Sequence, residues 1–143
     1  MNREVFLDTS YLIAATNPRD ALHARARAAF AALGPIRLVT TDAVFVEFLS
    51  YTARDIELRR RALRTVDGLL GHPDCRTFHF GRTGFDAALR RYRARPDKTY
   101  SLVDCHSMVL MEERRITRVL TADDHFRQAG FTCLLPPAGG PRC

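Results

Sequence analysis

Residues 4–13 read EVFLDTSYLI, a short apolar run that stops abruptly at Asp8. The run before Asp8 is typical of a buried strand, and Asp8, Thr9 and Ser10 are side chains that cap helices well. The apolar residues 11–15 that follow favour a helix. This stretch therefore predicts a strand followed at once by a helix, with an acid at the junction.

The alternation of short strands and helices continues along the whole chain. Further strands are predicted at residues 36–39, 76–80, 117–121 and 131–135. Further helices are predicted at residues 20–33, 43–53, 55–70, 84–95, 101–114 and 123–129. We therefore expect an α/β fold, a three-layer sandwich with a central, mainly parallel sheet of about five short strands flanked by helices.

The length of 143 residues suits a single domain over residues 1–143, with the Pro/Gly-rich residues 136–143 as a flexible tail. The first residues lead straight into a strand, without an apolar stretch long enough for a signal peptide or a membrane span. We expect a cytoplasmic protein with no membrane partner.

The cysteines show no zinc-site spacing, and the histidines give little support to a histidine-ligated metal site. Cys75, Cys105, Cys133 and Cys143 lie far apart and form no Cys-x-x-Cys pair, so we expect reduced thiols. The five histidines form no helical metal-binding pair. The net charge of +6 comes almost entirely from arginine, which suits phosphate contacts and is equally explained by genomic base composition.

Two acids directly follow predicted strands. Asp8 follows the first strand, and Asp123 is separated by two residues from the apolar pair Val119 and Leu120 of a later one. In parallel sheets the reactive groups gather beyond the carboxyl ends of the strands. Both acids are expected at the same sheet edge, although each alone is also explained as a helix N-cap.

Two more acids lie on helices that are otherwise apolar. Glu47 is the only charged residue between Asp42 and Arg54, and Asp104 lies near the start of an apolar helix. A carboxylate on such a helix needs partners, because an isolated buried charge is costly. For Glu47 the alternative is an ion pair with an arginine. For Asp104 it is a capping box with Ser101.

One hypothesis accounts for all four acids, Asp8, Glu47, Asp104 and Asp123, as ligands and catalytic groups around a hard cation. Clustered carboxylates repel one another unless a cation lies between them, and Mg²⁺ or Mn²⁺ prefers carboxylate and water ligands. Such a site activates water for attack on phosphorus, so we expect phosphodiester hydrolysis. Supporting positions flank the acids: Thr9, Ser10, Ser101, Thr121 and Asp124. The spacing Thr121-x-x-Asp124 also predicts a capping box, which explains Asp124 structurally.

Four motifs together resemble the PIN-domain family, and within it the VapC-like toxins of bacterial type II toxin–antitoxin modules. The resemblance spans nearly the whole chain and depends on the order and spacing of the set. The motifs are FLDTSYLI at residues 6–13, TDAVFVEFL at 41–49, SLVDC at 101–105 and LTADDHF at 120–126 followed by Gly130 and Phe131. One departure is Cys105, where the family more often has alanine; a buried thiol behaves as a small apolar group and is tolerated.

The resemblance implies a PIN-like parallel-sheet sandwich whose acidic pocket binds Mg²⁺ or Mn²⁺ and cuts single-stranded RNA, often within a tRNA or rRNA. It implies that Asp8, Glu47, Asp104 and Asp123 are the family's acids. It also implies a homodimer and a cognate antitoxin that inhibits the enzyme. The predicted helix at 84–95 and the loop after it carry basic residues that either track an RNA backbone, hold an acidic partner or face solvent: Arg90, Arg91, Arg93, Arg95 and Lys98.

Three other interpretations stay open at this point. The chain could be a non-catalytic RNA-binding module, or a PIN-like RNA-processing nuclease outside a toxin–antitoxin system. An aspartyl-phosphate enzyme ranks low, because Asp8-Thr9-Ser10 lacks the second aspartate of the phosphatase motif and the only lysine, Lys98, lies in a predicted loop.

Overall fold

The computed structural model describes residues 2–135, which form a five-stranded sheet and seven helices. The strands are β1 Glu4–Leu7, β2 Arg37–Thr41, β3 Cys75–Phe78, β4 Arg118–Leu120 and β5 Thr132–Cys133. The helices are α1 Thr9–Thr16, α2 His23–Ala31, α3 Asp42–Tyr51, α4 Ile56–Gly71, α5 Gly81–Ala94, α6 Leu102–Arg114 and α7 Asp124–Gln128. The predicted flexible tail, residues 136–143, lies outside the described residues.

The sheet is parallel throughout, with strand order β3-β2-β1-β4-β5. Strand β1 is central, and its Phe6 lies opposite Val39 of β2 and Val119 of β4. All three side chains are completely buried. A parallel strand covered on both faces needs a continuous apolar run, and this is why residues 5–7 contain no polar side chain.

The helices form two groups, one on each face of the sheet. Helix α1 contacts α2, α3 and α4, whereas α6 contacts α5 and α7. From β1 through β2 to β3 the chain moves toward one edge of the sheet, and from β3 through β4 to β5 it moves toward the other edge. Because crossovers between parallel strands are right-handed, connections that run in opposite directions place their helices on opposite faces. The expected three-layer α/β sandwich is therefore confirmed.

The direction of the crossovers reverses between β1 and β4. After β1 the chain moves toward β2, and after β4 it moves toward β5, so α1 and α7 leave the sheet on opposite faces. A crevice opens at such a reversal, beyond the carboxyl ends of the two strands. Asp8 directly follows β1, and Asp123 lies three residues after the end of β4.

Some element boundaries differ from those predicted. Helix α2 begins at His23, three residues after the predicted start, because the Asp20 carboxylate accepts a hydrogen bond from the backbone of Leu22 and forms a turn instead. Strand β3 ends at Phe78 because the backbone N–H of Phe80 donates to the Asp42 carboxylate and not to the sheet. None of the helices in residues 2–135 combines the length and apolar character that crossing a bilayer requires.

Candidate active site

Asp8 is buried at the junction of β1 and α1, where it caps the helix. Its Oδ2 accepts hydrogen bonds from the hydroxyl of Thr121 at 2.7 Å and from the hydroxyl of Ser10 at 3.0 Å. The backbone N–H of Asp8 donates to Leu120 of β4, which ties the ends of the two strands together. The carboxylate is therefore held by groups from both strands that border the crevice.

Asp104 and Asp123 belong to different elements, and their carboxylates both lie beside the ring of His125. Asp104 is buried at the start of α6, and Asp123 is the N-cap of α7. The Nδ1 of His125 lies 3.0 Å from Asp104 Oδ2 and 3.2 Å from Asp123 Oδ1. Carboxylates only accept hydrogen bonds, so Nδ1 carries the proton, and Nε2 is bonded to the Thr99 hydroxyl at 2.9 Å.

Glu47 approaches the same place from the other face of the sheet. It lies on the second turn of α3, half-buried, and its Oε1 accepts a hydrogen bond from the Thr9 hydroxyl at 2.6 Å. Thr9 directly follows Asp8, so this bond brings the Glu47 carboxylate to the end of β1. The ion pair with arginine that was the alternative for Glu47 is absent from residues 2–135.

Each of the four carboxylates is anchored through one oxygen only. The anchored atoms are Oδ2 of Asp8, Oε1 of Glu47, Oδ2 of Asp104 and Oδ1 of Asp123. Within residues 2–135 no hydrogen bond reaches the second oxygen of any of them. The cluster thus presents four oriented carboxylates, each with an oxygen available to a further ligand.

The electrostatics show that the four acids act on one another. Burial, and to a lesser extent the charge of Asp104, raises the pKa of Asp8 to about 7. Burial also raises the pKa of Glu47, with added effects from the charges of Asp104 and Asp123. Burial likewise raises the pKa of Asp104 despite its hydrogen bond from His125. Mutual repulsion of this kind is relieved when a cation binds between the carboxylates.

The hydroxyl residues expected near the acids have distinct positions. Ser10 and Thr121 contact each other at 2.9 Å and both bond to Asp8, and Thr9 bonds to Glu47. The Ser101 hydroxyl instead accepts from the backbone of Asp104 in the capping box that the sequence predicted. Asp104 also accepts a hydrogen bond from His125, so the same carboxylate both caps α6 and belongs to the acidic cluster.

The capping box predicted for Thr121 and Asp124 is wrong. Asp123 is the N-cap of α7 and accepts from the backbone of His125, while the Thr121 hydroxyl accepts from the backbone of Asp123. The exposed Asp124 carboxylate instead bonds to Arg127 and Gln128 on its own helix. Thr121 lies two residues before the N-cap, outside the helix, and its hydroxyl donates to Asp8 across the crevice.

His125 is a site residue that the sequence reasoning missed. It lies at the centre of a group whose ligand atoms, one each from Asp104, Asp123 and His125, are all within 4.8 Å of one another. The available signal was its position two residues after Asp123 at a helix start, which directs the ring back toward the capping acid.

The five basic residues of α5 and its following loop do not join the acidic cluster. Arg91 forms an ion pair with Glu112 of α6, and Arg95 bonds through two nitrogens to Asp97 at 3.0 and 2.9 Å. Arg90 and Arg93 are exposed, and Lys98 is half-buried. Within residues 2–135 no hydrogen bond or ion pair joins any of these five residues to the four acids.

The donor set of the cluster fits a divalent cation. The ligand atoms that lie within 4.8 Å of one another belong to Asp104, Asp123 and His125, while Asp8 and Glu47 lie outside this group and act on it through their charges. Carboxylate oxygens are the ligands that hard ions such as Mg²⁺ and Mn²⁺ prefer. His125, with its proton on Nδ1, lies at the edge of this set as a group that orients the carboxylates. The chemistry of the residues present therefore suits a metal centre.

Comparisons with known proteins agree with this geometry. The family model described as "PIN domain" matches residues 5–132. Among solved structures, the chain is similar to VapC20 of Mycobacterium tuberculosis, described as a toxin that cleaves the sarcin-ricin loop, with 25% sequence identity and a TM-score of 0.80. The match covers 89% of this chain and 95% of that one. No protein with a curated description matches the chain by sequence.

Proposed function

The chain belongs to the PIN domain family, and on that basis we propose that it is a metal-dependent endoribonuclease and the toxin of a type II toxin–antitoxin module. The observation that carries the proposal is the set of four carboxylates, each fixed through one oxygen and offering the other. The similarity to VapC20, a toxin that cleaves the sarcin-ricin loop, supports the toxin role and single-stranded RNA, within rRNA or tRNA, as the substrate class.

In this proposal Asp8, Glu47, Asp104 and Asp123 hold a Mg²⁺ or Mn²⁺ ion. When bound, the ion neutralises charge on the scissile phosphate and favours the ionised form of the attacking water. The protein's own contribution is to fix the ligands before substrate arrives. Ser10 and Thr121 orient Asp8, Thr9 orients Glu47, and His125 orients Asp104 and Asp123.

The proposal extends to the organisation of the protein and its partners. One nuclease domain would span residues 1–143, as the family match over most of that range supports. A cognate antitoxin would inhibit the enzyme, and two copies would form a homodimer, which light scattering of the purified chain would detect. The enzyme would act in the cytoplasm, where its RNA substrates are.

Cleavage of an RNA hairpin that carries the sarcin-ricin loop tests the enzymatic proposal. We expect cleavage with Mg²⁺ or Mn²⁺ and none with a chelator. Asp8→Asn and Asp104→Asn should each lower the rate by about a hundredfold or more, because removal of a ligand takes away several kcal/mol of transition-state stabilisation. The control is Asp67→Asn, which changes an exposed acid of α4. RNA binding without metal-dependent cleavage would instead indicate a non-catalytic binding module.

Growth of cells that express the chain tests the toxin role separately. We expect expression to arrest growth and Asp8→Asn to relieve the arrest. Efficient RNA cleavage in vitro without any effect on growth would point to an RNA-processing nuclease.

A further inference from the structure

A cavity of about 370 Å³ lies between the C-terminal end of α5 and the start of α6, beside the acidic cluster. Its lining is basic and aromatic, and the cavity does not include the four acids. The side chains that matter here are Tyr92, Arg93, Arg95, Lys98 and Tyr100.

The cavity is coupled to the acidic cluster by direct contacts. The ring of Tyr100 packs edge-on against the ring of His125, with centroids 5.4 Å apart. Cys105, which also lines the cavity, directly follows Asp104 on α6. The cavity therefore adjoins the acidic cluster through Tyr100 and Cys105.

The cations of the cavity differ in how strongly they are already paired. Arg95 is bonded to both oxygens of Asp97, so its charge is largely neutralised. Within residues 2–135 neither Arg93 nor Lys98 forms an ion pair. These two side chains carry the positive charge that the cavity offers to an anion.

The two tyrosines supply what a nucleotide base and sugar need. Tyr92 is 51% exposed at the rim, and a tyrosine ring in this position gives a flat surface on which a base stacks. The hydroxyl of Tyr100 is buried and has no hydrogen-bond partner among the described residues. A buried hydroxyl without a partner costs free energy, so a ligand that supplied a hydrogen bond there would be favoured.

We propose that this cavity binds the ribonucleotide adjoining the cleaved bond, with Arg93 and Lys98 on its phosphate, Tyr92 stacked on its base and the Tyr100 hydroxyl bonded to its sugar or base edge. The inference rests on the proposed ribonuclease function and assigns a substrate subsite to it. A single-stranded RNA suits the cavity better than an acidic polypeptide, because carboxylates would use the cations but leave the aromatic surface without a role.

Binding of the sarcin-ricin hairpin to inactive protein tests the subsite apart from catalysis. Fluorescence anisotropy would be measured with Asp8→Asn protein, alone and combined with Arg93→Gln/Lys98→Gln or with Tyr92→Ala. We expect each combination to weaken RNA binding by about tenfold. The charge variant should also reduce the slope of log affinity against log salt by about 0.7 for each phosphate that the protein no longer neutralises, whereas Tyr92→Ala should leave the slope unchanged.

The matched control is Arg60→Gln, which removes an exposed arginine of α4 far from the cavity in the chain. Tyr100→Phe should weaken binding of RNA more than binding of the DNA hairpin of the same sequence if the hydroxyl contacts the ribose, and both equally if it contacts the base. Circular dichroism and thermal melting would show that each variant is folded.

The outcomes separate the subsite from the proposed function. Unchanged RNA affinity and salt slope in the Arg93→Gln/Lys98→Gln protein would overturn the subsite, even if the wild-type chain cleaves RNA. Binding of poly-glutamate to the same variants tests an acidic polypeptide as the ligand. If the Arg93→Gln/Lys98→Gln protein lost poly-glutamate binding and kept RNA binding, the cavity would be assigned to an acidic polypeptide and the subsite would be overturned. Tenfold weaker RNA binding in a chain that cleaves no RNA would support RNA binding by the cavity and contradict the nuclease, and with it the position next to a cleaved bond.

Discussion

At the scale of single residues, three of the four acids use their two carboxylate oxygens for different purposes. One oxygen of Asp8, Asp104 or Asp123 completes a helix N-terminus, and the other is left for a ligand. A helix cap fixes the carboxylate in one orientation at little cost, since the backbone N–H groups at a helix start need acceptors in any case. The capping role therefore preorganises the site, and it does not compete with metal binding.

The raised pKa of Asp8 makes a prediction about the pH dependence of stability. In the metal-free protein this carboxyl has a pKa of about 7, whereas in the unfolded chain it ionises near 3.8. Between these values the folded state holds one more proton, so the stability contributed by the neutral carboxyl falls as pH rises through this window. Asp8→Asn should remove the penalty and raise the unfolding free energy at pH 8 by at most about 4 kcal/mol.

Denaturant unfolding with a chelator present would measure this effect at pH 8 and at pH 4. The gain from Asp8→Asn should be large at pH 8 and close to zero at pH 4, where the wild-type carboxyl is protonated in the folded state. A gain of the same size at both pH values would show that burial of the charge is not its cause.

His125 makes a second prediction at this scale. Because its Nδ1 bonds to Asp104 and lies 3.2 Å from Asp123, His125→Leu should raise the Mg²⁺ concentration needed for half-maximal RNA cleavage by about 10- to 100-fold. His125→Asn keeps a donor near the position of Nδ1 and should have a smaller effect. Titration of cleavage rate against Mg²⁺ would check both variants, and an unchanged midpoint for His125→Leu would exclude a role for the ring in holding the metal.

At the scale of elements, α5 and α6 pack so closely that the space at Gly84 is too small for a side chain. A Cβ built on Gly84 of α5 would lie 2.7 Å from Nε2 of His106 on α6. The His106 ring is buried and packs edge-on against Phe80 at 4.7 Å, so a methyl group at position 84 would have to displace this packed ring. The contact between these helices also fixes the start of α6, where Asp104 lies.

We therefore expect Gly84→Ala to destabilise the protein by about 1 to 2 kcal/mol, since overpacking exceeds the gain in helix propensity. The matched control is Gly68→Ala on the exposed side of α4, where nothing lies within 4 Å of the new methyl group. That change should stabilise by about 0.5 to 1 kcal/mol. Denaturant unfolding of both variants would check the pair, and a stabilising Gly84→Ala would show that α5 packs more loosely on α6 than this distance implies.

The elements also show what the sequence could and could not predict. The alternation of apolar runs and capping residues was enough to predict the strands and helices, because each depends on neighbouring residues. The positions of Asp8 and Asp123 followed from the strand-end rule for parallel sheets. By contrast, the bond between Asp104 and His125 spans 21 positions and the one between Thr9 and Glu47 spans 38, and no local pattern encodes such contacts.

At the scale of the whole molecule, the fold and the site have a common cause. The reversal of crossover direction between β1 and β4 opens the crevice and delivers acids from both faces of the sheet to it. The chain also combines this acidic cluster with a net charge of +6. The net positive charge attracts a polyanion such as RNA, whereas the four acids attract cations at the cluster itself.

Metal binding should therefore stabilise the entire molecule. A ligand that binds only the folded state at a hundred times its Kd adds about 2.7 kcal/mol, which corresponds to a rise in Tm of roughly 5 to 10 °C for a chain of this size. We expect Mg²⁺ or Mn²⁺ to produce such a rise in the wild type and little or none in Asp104→Asn. Differential scanning calorimetry with and without chelator would measure it, and an equal rise in both proteins would place the ion elsewhere.

The most direct measurement of the central claim is anomalous X-ray diffraction from crystals of the protein soaked in Mn²⁺. The account predicts one or more manganese peaks bounded by Asp8, Glu47, Asp104 and Asp123, with oxygen ligands from these carboxylates. A fully soaked crystal with no manganese among the four acids, or with the ion bound only elsewhere on the chain, would contradict it.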